Sequence, residues 1–326
     1  MKQGILWFVK LSVTIIILSY IFTHIPLSSV WESCKRVELS TLLLLVPIII
    51  LSFVVSARQL KVFTDNHHMQ VSLPRIFAIN LSTEFYNLFL PSYLAGGAIR
   101  WHRLSSRNQK RAEAFSALVL NRLVNMLTLA LSGLICWTYD RANIPQQSYG
   151  LAFLALFMGL LTIYAFLFSH YAMRTFHVIS SHPKLQSIPA LIRRGILKLV
   201  QAAREYHQLT IHEHGYIFLL SCGWQILGIL FFYLLGQSLG MNIRLESFGW
   251  VRSILGFLLL FPISVSGFGV REGALLILLG YYGVVPALTI AFSFLLFART
   301  LLLGLAGGIL EAKTLFLPVT RGTSRR

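Results

Sequence analysis

The chain has 326 residues, of which 56% are hydrophobic and 12% charged, with a mean hydropathy of +0.71. A soluble domain carries about 25% charged residues, so the composition excludes an ordinary soluble globule and points to a polytopic membrane protein. Lys and Arg number 28 against 11 Asp and Glu, a formal charge of +17; the cations sit between apolar runs, where they report topology and attraction to an anionic inner leaflet, with no nucleic acid as partner.

The N-terminus is basic at Lys2 and Lys10 and continues as an apolar run over 5–25. No small-x-small cleavage site follows it; Thr23-His24-Ile25-Pro26 does. An uncleaved first span is therefore expected rather than a signal peptide. Further runs near the roughly 20-residue spanning length occupy 39–57, 112–138, 150–170, 214–239 and 286–312, giving six full spans. Between 171 and 213, Leu185, Ile188, Leu191, Ile192 and Ile196 recur at helical spacing among Arg193, Arg194 and Lys198. This predicts an interfacial helix on the inner leaflet.

Two apolar regions, 76–100 and 248–283, are broken. Pro91-Ser-Tyr-Leu-Ala-Gly96-Gly97-Ala-Ile-Arg100 and Pro262-Ile-Ser-Val-Ser-Gly267-Phe-Gly269-Val-Arg271 share the pattern P-x4-G-x3-R. Ala114-Phe-Ser-Ala-Leu-Val-Leu-Asn-Arg122 and Ala291-Phe-Ser-Phe-Leu-Leu-Phe-Ala-Arg299 then share A-F-S-x-L-x3-R, in the same order. Irregular backbone is tolerated at membrane depth only inside protein or along a wet cavity. Both breaks are therefore read as re-entrant helical hairpins, with kinked continuous spans as the competing interpretation. A duplicated, Gly/Pro-interrupted segment points to the binding site of a two-repeat transporter. The repeats are placed at about 76–138 and 248–312 within a single transmembrane domain, 1–326.

The positive-inside rule sets the orientation. With both termini cytoplasmic, inner segments hold most of the cations, from Arg58 to Arg111, from Arg174 to Arg204 and from Lys313 to Arg326. The outer loops hold only Lys35, Arg36, Arg141, Arg244 and Arg252. Hairpin one then enters from the cytoplasm and hairpin two from outside, so the repeats are inverted.

The chemistry is expected at the breaks and beside them. A half-helix starting after Gly96-Gly97 or Gly267-x-Gly269 presents free N–H groups to an anion. An arginine one turn in, Arg100 or Arg271, would lean back to grip the same phosphate bidentately. For Arg100, a snorkelling cation is the alternative reading. Arg122 and Arg299 lie near mid-span, at a cost of about 2.5–3.5 kcal/mol each if unpaired. Glu272 and Glu84 are their candidate partners. His67-His68 and His212-Glu213-His214 lack a shared helix face, and HExxH, CxxC, GxGxxG and GxxxxGK are all missing. No metal, cofactor or enzymatic activity is expected.

Leu90 to Arg100, Arg122 and the run Gly267-Phe-Gly269-Val-Arg271-Glu272-Gly273 resemble the lysylphosphatidylglycerol synthase transmembrane, or flippase-like, family. That family includes the membrane half of the multiple peptide resistance factor. The resemblance spans nearly the whole chain. It implies a multi-pass protein of the cell membrane that moves an amphipathic lipid between leaflets, with Arg100, Arg122, Arg271, Glu272 and Arg299 along the lipid path. The full synthase adds a large soluble aminoacyl-transfer domain. Here the chain stops at Arg326, so synthase activity is not expected. The expectation is a translocase for a membrane phospholipid or polyprenyl-linked lipid. The rivals are a polyprenyl-phosphate-dependent glycosyltransferase and a non-catalytic partner of a lipid-modifying complex.

Overall fold

A computed structural model of the chain describes residues 25–35, 37–89, 93–106, 110–143, 148–168, 209–261, 264 and 267–316, with isolated positions at 12, 19 and 23. The expected first span (5–25, save its last residue), most of the interfacial segment 171–213, Pro91, Pro262 and the basic tail lie outside the described residues. Among the described residues every regular element is helical. In chain order there are ten α-helices: α1 (Leu27–Lys35), α2 (Leu39–Asn66), α3 (Leu73–Phe89), α4 (Tyr93–Ser105), α5 (Arg111–Asp140), α6 (Ser148–Leu167), α7 (Ile211–Ser238), α8 (Leu245–Leu258), α9 (Val270–Gly280) and α10 (Pro286–Phe316). Five of these, α2, α5, α6, α7 and α10, are long and apolar enough to cross a membrane. They coincide with five of the six expected spans.

The start of α7 shows the local logic. Thr210 Oγ1 accepts from the Glu213 N–H, and the Glu213 carboxylate accepts from the Thr210 N–H at 2.8 Å. This reciprocal cap satisfies two N–H groups that would otherwise be orphaned at the helix end. The apolar run behind it then supplies the span.

The two broken regions fold as hairpins, and the ends of α5 prove it. At the first end, the Lys110 ammonium donates to the His67 carbonyl at 2.7 Å. The chain therefore leaves this end after α2 and returns to it before α5, having made only α3 and α4. Helices of 17 and 13 residues rise about 26 and 20 Å, short of a hydrocarbon core of about 30 Å. At the other end of α5, the Trp250 indole N–H donates to Asp140 Oδ2 at 2.9 Å and approaches the Tyr282 hydroxyl at 2.7 Å. The Tyr282 hydroxyl also donates to Asp140, which is fully buried. Tyr149 and Tyr281 share a hydroxyl contact of 3.1 Å beside them. Hence α8 and α9, at 14 and 11 residues, leave from this end and return to it. The hairpins enter from opposite ends of the bundle.

Small residues bring hairpin one against α10. A Cβ at Gly307 would lie 2.1 Å from the Leu81 carbonyl oxygen, and one at Gly308 would lie 2.8 Å from the Phe85 ring. Close backbone approach of this kind is how helices pack where lipid offers no hydrophobic drive. Arg103 and Tyr86 both reach Glu311 on α10, Tyr86 at 2.8 Å.

The buried apolar residues divide between the two ends. One cluster contains Phe248, Trp250, Leu279 and Phe292 near the base of hairpin two. The other contains Leu60, Phe63, Ile76, Leu104 and Ile217 near the base of hairpin one. The space between these clusters holds a cavity.

Candidate functional site

A cavity of about 470 Å³ lies between the two packed ends, with walls from α2, α4, α5, α7, α8, α9 and α10. Five arginines line it: Arg100, Arg122, Arg252, Arg271 and Arg299. Among the described residues, no Asp, Glu, Lys or His lines it. Apolar side chains, including Ile48, Ile49, Phe231, Phe232, Leu255 and Leu259, make up much of the remaining wall. Many cations at membrane depth without lining carboxylates is a costly arrangement, and charges there face a bundle interior or an aqueous path.

Each arginine is held differently. Arg271, in the first turn of α9, donates from Nη2 to Glu272 Oε1 at 2.7 Å and from Nε to Ser293 Oγ at 2.7 Å. Ser293 in turn donates to Glu272 Oε1 at 2.6 Å. The second oxygen, Glu272 Oε2, accepts from the Gly269 N–H at 2.7 Å. Gly267 and Gly269 have φ of 79° and 82°, a left-handed conformation that only glycine adopts without strain. They turn the chain so that α9 begins with this carboxylate cap. Phe268 and Phe297 lie 5.4 and 5.7 Å from the guanidinium.

Arg252, on α8, is held without a carboxylate. Its Nη1 donates to Gln225 Oε1 at 2.6 Å, and its guanidinium sits 5.5 Å from the Trp224 ring. The Gln225 amide donates to the Asn125 carbonyl at 3.0 Å. Ser221 bonds both Asn125 Oδ1 and Thr128 Oγ1 at 2.7 Å. Gly228 leaves the space: a Cβ there would lie 2.3 Å from Arg252 Nη2. Arg299 sits 4.9 Å from the Phe231 ring. On α4, the Nε and Nη2 of Arg100 are buried with no hydrogen-bond partner among the described residues. Asn121 Oδ1, beside Arg122 on α5, is in the same condition.

The structure therefore brings together Arg100, Arg122, Arg271, Arg299 and Gly97 as lining residues. Glu272, Glu84, Gly96, Gly267 and Gly269 stand behind them. Glu84 lies within Coulombic reach of Arg299 and Arg100 and receives a hydrogen bond from Asn87.

Three expectations need correction. Glu272 was assigned to Arg122 or Arg299; it holds Arg271 instead, because the α9 turn brings the Arg271 guanidinium and the Ser293 hydroxyl onto the buried Glu272 Oε1. Gly96 does not open a helix. It lies inside α4 where a Cβ would be 1.9 Å from Asn87 Oδ1, so its role is to let α3 and α4 approach. Arg100 consequently sits two turns into α4, whereas Arg271 sits in the first turn of α9. Arg252, assigned to an outer loop, lies within α8 and faces the cavity.

Three further contributors were missed. Ser293 belongs to the duplicated A-F-S segment, and that repetition was its signal. Gln225 and Asn125 carried no pattern, since a lone amide in an apolar helix announces nothing until its partner is placed.

No curated protein and no solved structure matches the chain significantly. The family described as lysylphosphatidylglycerol synthase TM region matches residues 7–308, which takes in the cavity and both hairpins. The chain is thus a multi-pass membrane protein with a lipid-related role, and it belongs to the lysylphosphatidylglycerol synthase TM region family.

Proposed function

We propose that this chain is a lipid translocase and not an enzyme: it carries a phosphate-bearing amphipathic lipid between the leaflets of the cell membrane. The observation that supports this is the cavity itself. Arginines grip phosphate oxygens through planar, bidentate donors, and the same cavity has apolar walls suited to the start of a hydrocarbon chain. A lining of arginines and amides suits binding and release better than general acid–base chemistry, which wants a carboxylate or imidazole at the reacting atom.

The opposed hairpins support an inverted-repeat transport cycle. In sequence, hairpin one with α5 (about 76–138) is one repeat and hairpin two with α10 (about 248–312) the other; in space each hairpin packs on the other repeat's long helix, hairpin one on α10 and hairpin two on α5. Rocking the body of hairpin one and α10 against the body of hairpin two and α5 exposes the arginines to each side in turn. Glu272 keeps Arg271 neutralised and oriented when the cavity holds no lipid, and the phosphate takes over part of that role on binding.

The test is lipid movement in vesicles containing the purified full chain. Wild type should move a labelled phospholipid faster than protein-free vesicles do. Arg271→Lys retains charge but loses the fork, so movement should fall about tenfold or more, the loss of one charge-assisted contact. Arg141, exposed at the end of α5, is the control, and Arg141→Ala should move lipid normally. Unchanged rates in both Arg271→Lys and Arg271→Ala would sink the phosphate-gripping role.

A further inference from the structure

The cavity arginines differ in what is left of their hydrogen-bonding capacity. The planar fork of an arginine, Nε–H with one Nη2–H, is an edge that can take two oxygens of a phosphate at once. In Arg271 that fork is occupied: Nε meets Glu272 Oε1 at 3.1 Å and Ser293 Oγ at 2.7 Å, and Nη2 meets Glu272 Oε1 at 2.7 Å. In Arg100 the same two nitrogens are shut away, buried and with no hydrogen-bond partner among the described residues. Arg122 is exposed, and among the described residues no hydrogen bond fixes its direction.

Arg252 combines an open fork with a fixed direction. It lines the cavity about two turns into α8. Glycines bring that helix close to α5: a Cβ at Gly249 would lie 2.3 Å from Cys136 Sγ, and one at Gly256 would lie 2.9 Å from Leu129 Cδ2. On the α7 side the guanidinium rests face-down on Gly228, where a Cβ would lie 2.3 Å from Nη2, 2.4 Å from Cζ and 2.5 Å from Nε. Its N–H bonds lie in the guanidinium plane, so they run along the wall and not into α7. One corner is pinned, because Nη1 donates to Gln225 Oε1 at 2.6 Å. Nε and Nη2 carry no hydrogen bond among the described residues.

Gln225 can present only its oxygen to Arg252. Its Nε2 donates to the Asn125 carbonyl at 3.0 Å and to Thr128 Oγ1 at 3.3 Å. A carbonyl accepts and cannot donate, which settles the orientation of the amide. A neutral group therefore orients the cation and leaves its charge in place. Among the described residues no carboxylate bonds it. Trp224, also on the cavity wall, lies 5.5 Å from the guanidinium and supports it without adding a charge.

Resting on the translocase reading for the source of the phosphate, a lipid headgroup, we infer that Arg252 is the residue that binds the phosphate group first. Its open fork takes two oxygens before any bond within the protein is broken. Arg271 must give up contacts with Glu272 to reach the same group, so it loses from the carboxylate much of what it gains from the phosphate. Arg252 sets how tightly the headgroup is held. Arg271 and Glu272 act in the later exchange, during movement. A contact made on binding shows in affinity, and one made during movement shows in the rate.

The experiment measures binding and movement separately, with the full chain in vesicles. The probes are phosphatidylglycerol, the phosphate-free lipid diacylglycerol, and inorganic phosphate. Wild type should bind phosphatidylglycerol about tenfold or more tighter than diacylglycerol, and Arg252→Gln should remove about tenfold of that margin. The maximal rate at saturating phosphatidylglycerol should change less than about threefold. Arg271→Lys should do the reverse, slowing the maximal rate and sparing affinity. Gln225→Glu is the sharper variant. It keeps the oxygen that Nη1 bonds but neutralises the cation, so a merely structural tie would survive, whereas phosphatidylglycerol affinity should fall about tenfold. Melting temperatures are read on the same preparations. Should Gln225→Glu unfold through loss of its bond to Asn125, Arg252→Lys decides, since it keeps the charge and loses the fork; its affinity should also fall.

Wild-type affinity for phosphatidylglycerol in Arg252→Gln, together with either Gln225→Glu or Arg252→Lys, overturns the inference and leaves the translocase reading standing. Stabilisation by inorganic phosphate through Arg252, with none by phosphatidylglycerol, assigns the fork to free phosphate and overturns the lipid headgroup. Arg252-dependent lipid binding with no movement of any lipid keeps the binding site and removes the translocase reading.

Discussion

At the scale of single residues, the best test of the cavity is a glycine. Gly228 lines the cavity and leaves room for Arg252, whose Nη2 would lie 2.3 Å from a Cβ placed there. The obstructed atoms are the far end of a flexible side chain, so Gly228→Ala should fold normally and push the guanidinium off Gln225. Lipid movement should fall about tenfold, as one charge-assisted contact is worth about 1.5–3 kcal/mol, while the melting temperature stays within a few degrees of wild type. A fluorescence melt and a vesicle assay on the same preparation check both halves. Arg271, Arg122, Arg299 and Arg100 were legible in the sequence because ionisable residues in apolar runs stand out, and the duplication aligned them. Arg252 was not. It stands only seven residues into its helix, and at that position a loop cation and a cavity cation look the same until the hairpin is folded.

At the scale of elements, the two hairpins are secured by different chemistry. Hairpin two is tied to α5 by the buried Asp140–Trp250–Tyr282 cluster. Trp250→Phe keeps an aromatic ring, though a smaller one, but removes the N–H from a fully buried carboxylate, and stability should drop by about 1–3 kcal/mol or more, read as a lower melting temperature. Hairpin one is tied to α10 through close backbone contact at Gly307. Its obstruction is the Leu81 carbonyl oxygen at 2.1 Å, backbone that cannot swing aside. Gly307→Leu should therefore separate α3 from α10 and sharply reduce the yield of monodisperse protein on size-exclusion chromatography. Gly215, with open space around its position, is the matched control, and Gly215→Leu should purify normally.

At the scale of the whole molecule, the arrangement turns on opposite ends. Gln70 lies beside the base of hairpin one and Asn242 beside the base of hairpin two, both exposed. In a background lacking Cys34, Cys136 and Cys222, Gln70→Cys and Asn242→Cys should react with an impermeant thiol reagent from opposite sides of the membrane. The positive-inside rule puts Asn242 outside and Gln70 in the cytoplasm. Labelling of both from one side would contradict hairpins that enter from opposite faces.

The sequence alone determined the helical membrane class, four of the five described spans within a few residues and the fifth, 39–57, nine residues short of the end of Leu39–Asn66, the two breaks and four of the five cavity arginines. Spanning length, apolar composition and the cost of charge in lipid are local or compositional properties, and a single chain states them openly. Only the tertiary structure decided which carboxylate serves which arginine, that Gly96 spaces two helices while Gly267 and Gly269 turn the chain, and that Arg252 belongs to the cavity. Those outcomes depend on approach between residues far apart in the chain: Gln225 reaches Arg252, Ser293 reaches Arg271, and Asp140 reaches Trp250. The two P-x4-G-x3-R segments show the limit directly. The same pattern yields an arginine two turns into α4 in one copy and in the first turn of α9 in the other, because neighbouring packing, not the motif, sets where each half-helix begins.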